Sequence, residues 1–175
     1  MRSAVKIALE VTEGQAGLLD SQSKMTNWLY NHLLETANGL RQRYRQSQDK
    51  QVGKTLYTEH GLRDLLPSLK AQYPFLKAVY SSVLKNAALR LSKAIRDYQD
   101  GTHGRRTRAV KWPKFRSWKR NWFSLQYDEP HKGYALSGRT LTLSLGKDAA
   151  GKQLQLELEL AEALPCWVNH EHIRQ

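Results

Sequence analysis

Little in this sequence can cross-link the chain or carry it into lipid. A single cysteine, Cys166, stands among 175 residues. No internal disulfide is possible, and a cytoplasmic, nucleoid-associated location is the simplest reading. No run is apolar enough to span a bilayer. The opening segment is short and interrupted by Arg2 and Lys6, so it makes no secretory signal. Cys166, His170 and His172 lie close together, but structural zinc needs four ligands at suitable spacing, so no metal is expected. No nucleophile–base pair stands out. Acidic residues are scarce as well: Asp and Glu total 16 against 28 Lys and Arg, a net charge of +12. That surplus points to a polyanionic partner, with nucleic acid ahead of an anionic membrane surface.

The scarcity of acid is sharpest in one place. Residues 102–120 hold Arg105, Arg106, Arg108, Lys111, Lys114, Arg116, Lys119 and Arg120, with no Asp or Glu. Such a run repels itself unless a polyanion lies alongside, and phosphate contacts there release counterions. Trp112, Phe115, Trp118 and Trp122 are interleaved with the charges. Those rings suit stacking on unpaired bases. The plainer alternative is a solvated loop whose aromatics dock on the core, and Trp112 and Trp122 are placed to anchor a sheet equally well.

Before this linker the pattern is mostly helical. Residues 5–11 alternate apolar and polar, as a half-buried strand does. Thr12 and Gln15 have the spacing of a capping box, which predicts a helix starting near Glu13 or a few residues later. Met25, Trp28, Leu29, Leu33, Ala37, Leu40 and Tyr44 give that helix one apolar face, ending near Gln48. Residues 47–54 read as a polar loop. Leu62, Leu65, Leu66 and Leu69 form a second pattern, in which Pro67 either starts or breaks a short helix. A turn is expected at Tyr73-Pro74. Then Val79, Val83, Leu84, Ala87, Ala88, Leu91, Ala94, Ile95 and Tyr98 mark the clearest helix, with Ser81 or Ser82 as its cap and Gly101 as its stop.

After the linker the period changes to two. Residues 123–127, 141–145 and 154–160 alternate, and Gly133, Gly138, Gly146 and Gly151 fall between them where turns need them. Glu157 and Glu159 share one strand face, which exposed acidic alternation explains without catalysis. A lone N-terminal strand is not stable by itself. It is expected to return to the C-terminal strands in one sheet or small barrel, with the helices as an insertion. The fold class is therefore α+β.

Three stretches resemble the N-terminal half of TnpB, an accessory protein of bacterial insertion sequences, and of the related type V CRISPR effectors. The first is Leu65-Leu66-Pro67-Ser68-Leu69-Lys70 leading into Tyr73-Pro74-Phe75-Leu76-Lys77. The second is Ser81-Ser82-Val83-Leu84-Lys85-Asn86-Ala87, continuing through Leu91 and Ala94-Ile95. The third, Lys111-Trp112-Pro113-Lys114-Phe115-Arg116, is similar to the family's KxPKFK element, and Trp122-Phe123 follows where the family opens a strand with an aromatic. The likeness spans about residues 56–127; elsewhere it rests on the order of elements. It implies a wedge-like β-barrel from residues 1–12 and 122–175, a helical recognition insertion over 13–100, and a basic aromatic linker over 101–121. It also implies a structured guide RNA and a short flanking double-stranded DNA motif as partners.

In that family a RuvC-like nuclease domain follows, with three acidic catalytic residues, Mg and a zinc-binding cysteine cluster. None of that is present in this sequence. The nuclease would lie in another segment or a second chain, and no cofactor is expected here. A fragment and a naturally short subunit both fit.

The resemblance assigns DNA-motif contacts to Tyr57, Lys77, Ser81, Ser82, Lys85 and Asn86. A packed tyrosine and an ordinary solvated helix face are the plainer readings of these positions. The family commonly places glutamines where Lys85 and Asn86 stand. Asn pairs bidentately with adenine, whereas Lys prefers guanine or phosphate, so a different motif is expected. RNA or phosphate contacts fall to Arg105, Arg106, Arg108, Lys111, Lys114, Arg116, Lys119, Arg120 and Trp118. Arg41, Arg43 and Arg45 alternate along a helix and form no single stripe; they read as general positive surface touching RNA phosphates. The competing function is a guide-free DNA- or RNA-binding protein, such as a repressor or structural subunit. A third, an enzyme in its own right, has the least in its favour.

Overall fold

The computed structural model describes residues 5–117, 124–148 and 150–165. Trp122, Phe123, Cys166, His170 and His172 lie outside the described residues. Strand β1 (Leu9–Glu10) opens the chain, followed by helices α1 (Glu13–Ser47), α2 (Lys50–Tyr57), α3 (Leu66–Gln72) and α4 (Ser81–Thr102). Strands β2 (Tyr134–Ser137), β3 (Thr140–Lys147) and β4 (Gln153–Leu160) close it. The architecture is α+β: a helical insertion between strands of one open antiparallel sheet, ordered β1-β4-β3-β2. The N-terminal strand does return to the C-terminal ones, with Leu9 opposite Leu160.

Thr12 starts α1 as the spacing predicts. Its Oγ1 accepts from the Gln15 N–H, and Gln15 Oε1 accepts from the Thr12 N–H at 2.8 Å. The same glutamine donates from Nε2 to the Glu157 carbonyl at 2.8 Å. One side chain thus caps the helix and ties it to β4. At the other end Gln48 takes a left-handed conformation, with φ of 52°. Leu29, Leu33, Leu34 and Ala37 are buried against Val83, Leu84, Ala88, Leu91 and Ile95 of α4. The first half of α1 buries polar groups instead, among them Gln22, Thr26 and Asn27.

Several expectations are corrected. Residues 47–54 are not a loop. Asp49 Oδ1 accepts from the Gln51 N–H at 2.8 Å and starts α2, which buries Val52 and Leu56. Of the two readings of Pro67 the first holds: it sits in the first turn of α3, where its missing N–H costs nothing. The turn at Tyr73-Pro74 extends as a short 3-10 helix, Pro74–Ala78. Helix α4 is capped by Tyr80 rather than Ser81 or Ser82, and it runs one residue past Gly101. Of residues 5–11 only Leu9 and Glu10 pair. Residues 124–129 are irregular rather than a strand, because α4 side chains take up their polar groups. Strand β2 is an addition, since its sequence has no alternating pattern to announce it. No helix among the described residues is long and apolar enough to cross a membrane.

The sheet carries its own core of Leu143, Leu145, Leu156 and Leu158. It packs tightly on the 3-10 helix at Gly146, where a β-carbon would overlap the Lys77 carbonyl oxygen and the Val79 nitrogen. Gly146→Ala is therefore expected to destabilise the protein by about 1–3 kcal/mol in urea unfolding. Gly39→Ala, in open space on α1, is expected to stabilise it by up to about 1 kcal/mol.

Candidate nucleic-acid interface

The basic linker has no regular structure between Gly104 and Ser117, so its backbone polar groups need partners from elsewhere. Helix α1 supplies them at Arg116 and grips the Trp112 side chain as well, through a row of asparagines. Asn31 Nδ2 donates to the Arg116 carbonyl at 3.0 Å, while Asn31 Oδ1 accepts from the Arg116 N–H at 2.8 Å. One amide side chain thus satisfies a whole residue of backbone, as a neighbouring strand would. Asn27 Nδ2 adds a second donor to the same carbonyl at 3.2 Å. Asn38 Oδ1 accepts from Trp112 Nε1 at 2.8 Å.

Aromatic–cation contacts complete the seam. The Arg116 guanidinium lies 3.6 Å from the Tyr30 ring centroid. Burial pushes the Arg116 pKa down, and burial pushes the Tyr30 phenol up despite the nearby positive charge. Arg41 lies 4.2 Å from the Trp112 centroid and 4.9 Å from that of Tyr98, and donates to Tyr98 Oη at 2.6 Å. Trp112 is therefore an anchor, as the plainer reading of the aromatics had it.

The linker cations then divide. Arg105 and Arg106 turn back to α4 and pair with Asp100 at 3.5 Å and Asp97 at 2.6 Å. Arg108, Lys111 and Lys114 are exposed, and none forms an ion pair among the described residues. Phe115, 59% exposed, stands between Lys114 and Arg116. Trp118, Lys119 and Arg120 lie outside the described residues.

The residues assigned to a DNA motif do not form one surface. Ser82 and Asn86 are only 2% and 5% exposed. Ser82 bonds to the Asp128 carboxylate, and Asn86 Nδ2 donates to the Gln126 carbonyl at 3.1 Å. Arg90 continues the row, donating to Gln126 Oε1 at 2.9 Å and to Ser124 Oγ at 3.2 Å. The polar face of α4 is thus turned onto residues 124–128 and presents neither Ser82 nor Asn86 to a duplex. Tyr57 is half-buried, edge-on to Tyr44 at 5.5 Å. Lys77, Ser81 and Lys85 are exposed.

Lys70, not among the expected contacts, joins Ser81 and Lys85. Its Nζ donates to Ser81 Oγ at 2.7 Å, and burial, with the charge of Lys85, lowers its pKa. Eleven residues separate Lys70 from Ser81, so no local periodicity could have paired them. Arg41 and Arg45 also share a face of α1, being four residues apart, with Arg43 pointing elsewhere; the expectation of no stripe holds only for alternate positions.

An apolar cleft of about 890 Å³, lined by none of these cations, lies between the start of α1, one face of the sheet and residues 124–127. Leu9, Leu19, Leu125, Tyr134 and Leu143 line it. Among the described residues no group of His, Cys, Asp or Glu is placed to hold a metal. Comparison with protein-family models, curated proteins and solved structures gave no match.

The Asn31 clamp predicts that Asn31→Leu costs about 1–3 kcal/mol by leaving the part-buried Arg116 N–H without its partner and its carbonyl with Asn27 alone. Limited proteolysis should then cut first within residues 105–117. Tyr80 and Tyr127 give a pH prediction. Burial is the main cause that pushes both phenols up to about 12 from the ordinary 10.0, helped at Tyr80 by its bond to Glu129. The folded state keeps these phenols neutral while the unfolded chain ionises. Their contribution to stability is complete below pH 10.0 and is lost as pH rises toward about 12. Urea unfolding and phenolate absorbance measured together across that window check both parts.

Proposed function

We propose that this chain is the recognition part of an RNA-guided DNA-binding effector of the TnpB or type V kind. In this reading it holds a structured guide RNA and a short flanking duplex motif, while base pairing reads the remaining target. The observation that carries the reading is the docked linker. Asn31 of α1 fixes its backbone at Arg116, Asn38 fixes the Trp112 ring, and Arg108, Lys111 and Lys114 are left exposed with no carboxylate partner among the described residues. A basic segment held on a rigid helix is preorganised for phosphate and costs little to order on binding.

The cluster of Lys70, Ser81 and Lys85, with Lys77 nearby in sequence, is the proposed duplex contact. An anion there would relieve the repulsion between Lys70 and Lys85. These groups suit phosphate, which positions a duplex without reading it. The sheet is proposed as a wedge-like barrel, consistent with one face that lines an apolar cleft. Cleavage would belong to a metal-binding acidic cluster on another segment or chain.

A second reading has an observation of its own. Ser82 and Asn86 are buried, so the polar side chains best suited to base edges are engaged elsewhere. That favours a guide-free protein binding backbone alone. The two readings separate in one binding experiment with a duplex library, run with and without the RNA that accompanies the protein. Duplex binding only in the presence of RNA supports the guided reading, and equal binding without RNA supports the alternative. In either case, Arg108→Ala, Lys111→Ala and Lys114→Ala together should weaken binding to every nucleic acid. The salt slope should fall by about 0.7–0.9 for each phosphate that is no longer neutralised. An unchanged slope would remove the linker from the binding surface.

A further inference from the structure

The second half of α1 carries a groove of about 470 Å³ lined by Asn38, Arg41, Gln42, Arg45 and Gln46. These positions follow steps of three and four residues, so they make one stripe along the helix. The stripe contains no apolar side chain and no carboxylate. Two acids flank the stripe in sequence: Glu35, one turn toward the N-terminus, and Asp49, just beyond the helix, whose carboxylate caps α2. None of Arg41, Arg43 and Arg45 forms an ion pair among the described residues.

Two features hold the groove in shape. Arg41 is fixed by the Trp112 and Tyr98 rings and by its bond to Tyr98 Oη. Asn38 Oδ1 is occupied by Trp112 Nε1, which leaves its amide N–H groups as donors. Gln42, Arg45 and Gln46 are exposed. The wall is therefore a set of amides, each able to donate, interspersed with guanidinium groups, and the docked linker passes alongside at Trp112.

That chemistry is more specific than positive charge. Guanidinium groups take phosphate of any nucleic acid. Amides that both donate and accept match a ribose 2′-hydroxyl, which also does both and is the group that distinguishes RNA from DNA. The minor groove of A-form RNA is wide and shallow and displays those hydroxyls, so a helix face can lie against it. We propose that this groove seats the shallow minor groove of an RNA helix. Arg41 and Arg45 meet its phosphates, and Asn38, Gln42 and Gln46 meet its 2′-hydroxyls. The proposal rests on the nucleic-acid reading above and adds where RNA is told from DNA.

The test uses a hairpin RNA and a hairpin DNA of the same sequence, measured against the full chain and two variants. The unaltered protein is expected to prefer the RNA hairpin. The double variant Gln42→Ala with Gln46→Ala should lose about ten-fold in RNA affinity with DNA affinity unchanged, since two neutral hydrogen bonds are removed. Arg45→Ala should weaken both and lower the salt slope by nearly one. All three side chains are exposed, so thermal unfolding of both variants should match the parent. A parent preference for RNA that survives the glutamine double variant would overturn the groove assignment while leaving nucleic-acid binding intact. Equal parent affinity for the two hairpins would overturn it as well. Binding of neither hairpin would remove the underlying reading, and the groove assignment with it.

Discussion

The architecture depends on satisfying the backbone of a long irregular segment that crosses two helices. A buried peptide group without a partner costs about 1–3 kcal/mol, and the linker has no strand or helix of its own to supply partners. Asn31 resolves this by bonding both the N–H and the carbonyl of Arg116. Asn27 and Asn38 extend the seam on α1, and Ser82, Asn86 and Arg90 make a matching seam on α4 for residues 124–128. The chain is thus held on both sides of residues 118–123 by polar side chains spaced along helices.

This arrangement decides which charges face outward. Arg116 is drawn onto Tyr30, and Arg105 and Arg106 are drawn to carboxylates of α4, whereas Arg41 is braced by two rings yet still lines the groove on α1. Those left exposed include Arg108, Lys111 and Lys114 on the linker, Arg45 on α1, and Lys77 and Lys85 near the start of α4. A cation on a fixed backbone loses less freedom on meeting phosphate than one on a free loop. The proposed nucleic-acid role therefore draws on packing as much as on net charge.

Local patterns in the sequence were faithful where the physics is local. The Thr12–Gln15 box marked the start of α1 to within a few residues, and the long apolar stripe placed its end within one. Alternation located β3 and β4, and the isolation of β1 required its return to the sheet. The misread side-chain contacts share one cause, which is pairing across long stretches of chain. The polar face of α4 looked solvent-facing because its partners lie 34–46 residues downstream. Lys70 and Ser81, and Asn31 and Arg116, are likewise joined only by the fold. Helix α2 was different: Asp49 followed by Val52 and Leu56 is a readable start signal, masked by the surrounding polar residues.

The central claim is that the chain carries one particular RNA and uses it to reach DNA. The most direct measurement is to purify the protein from its host at a salt concentration that strips non-specific RNA, and to sequence what remains bound. The account predicts one dominant structured RNA whose end varies or matches a DNA target. A heterogeneous mixture, or no RNA at all, would contradict it.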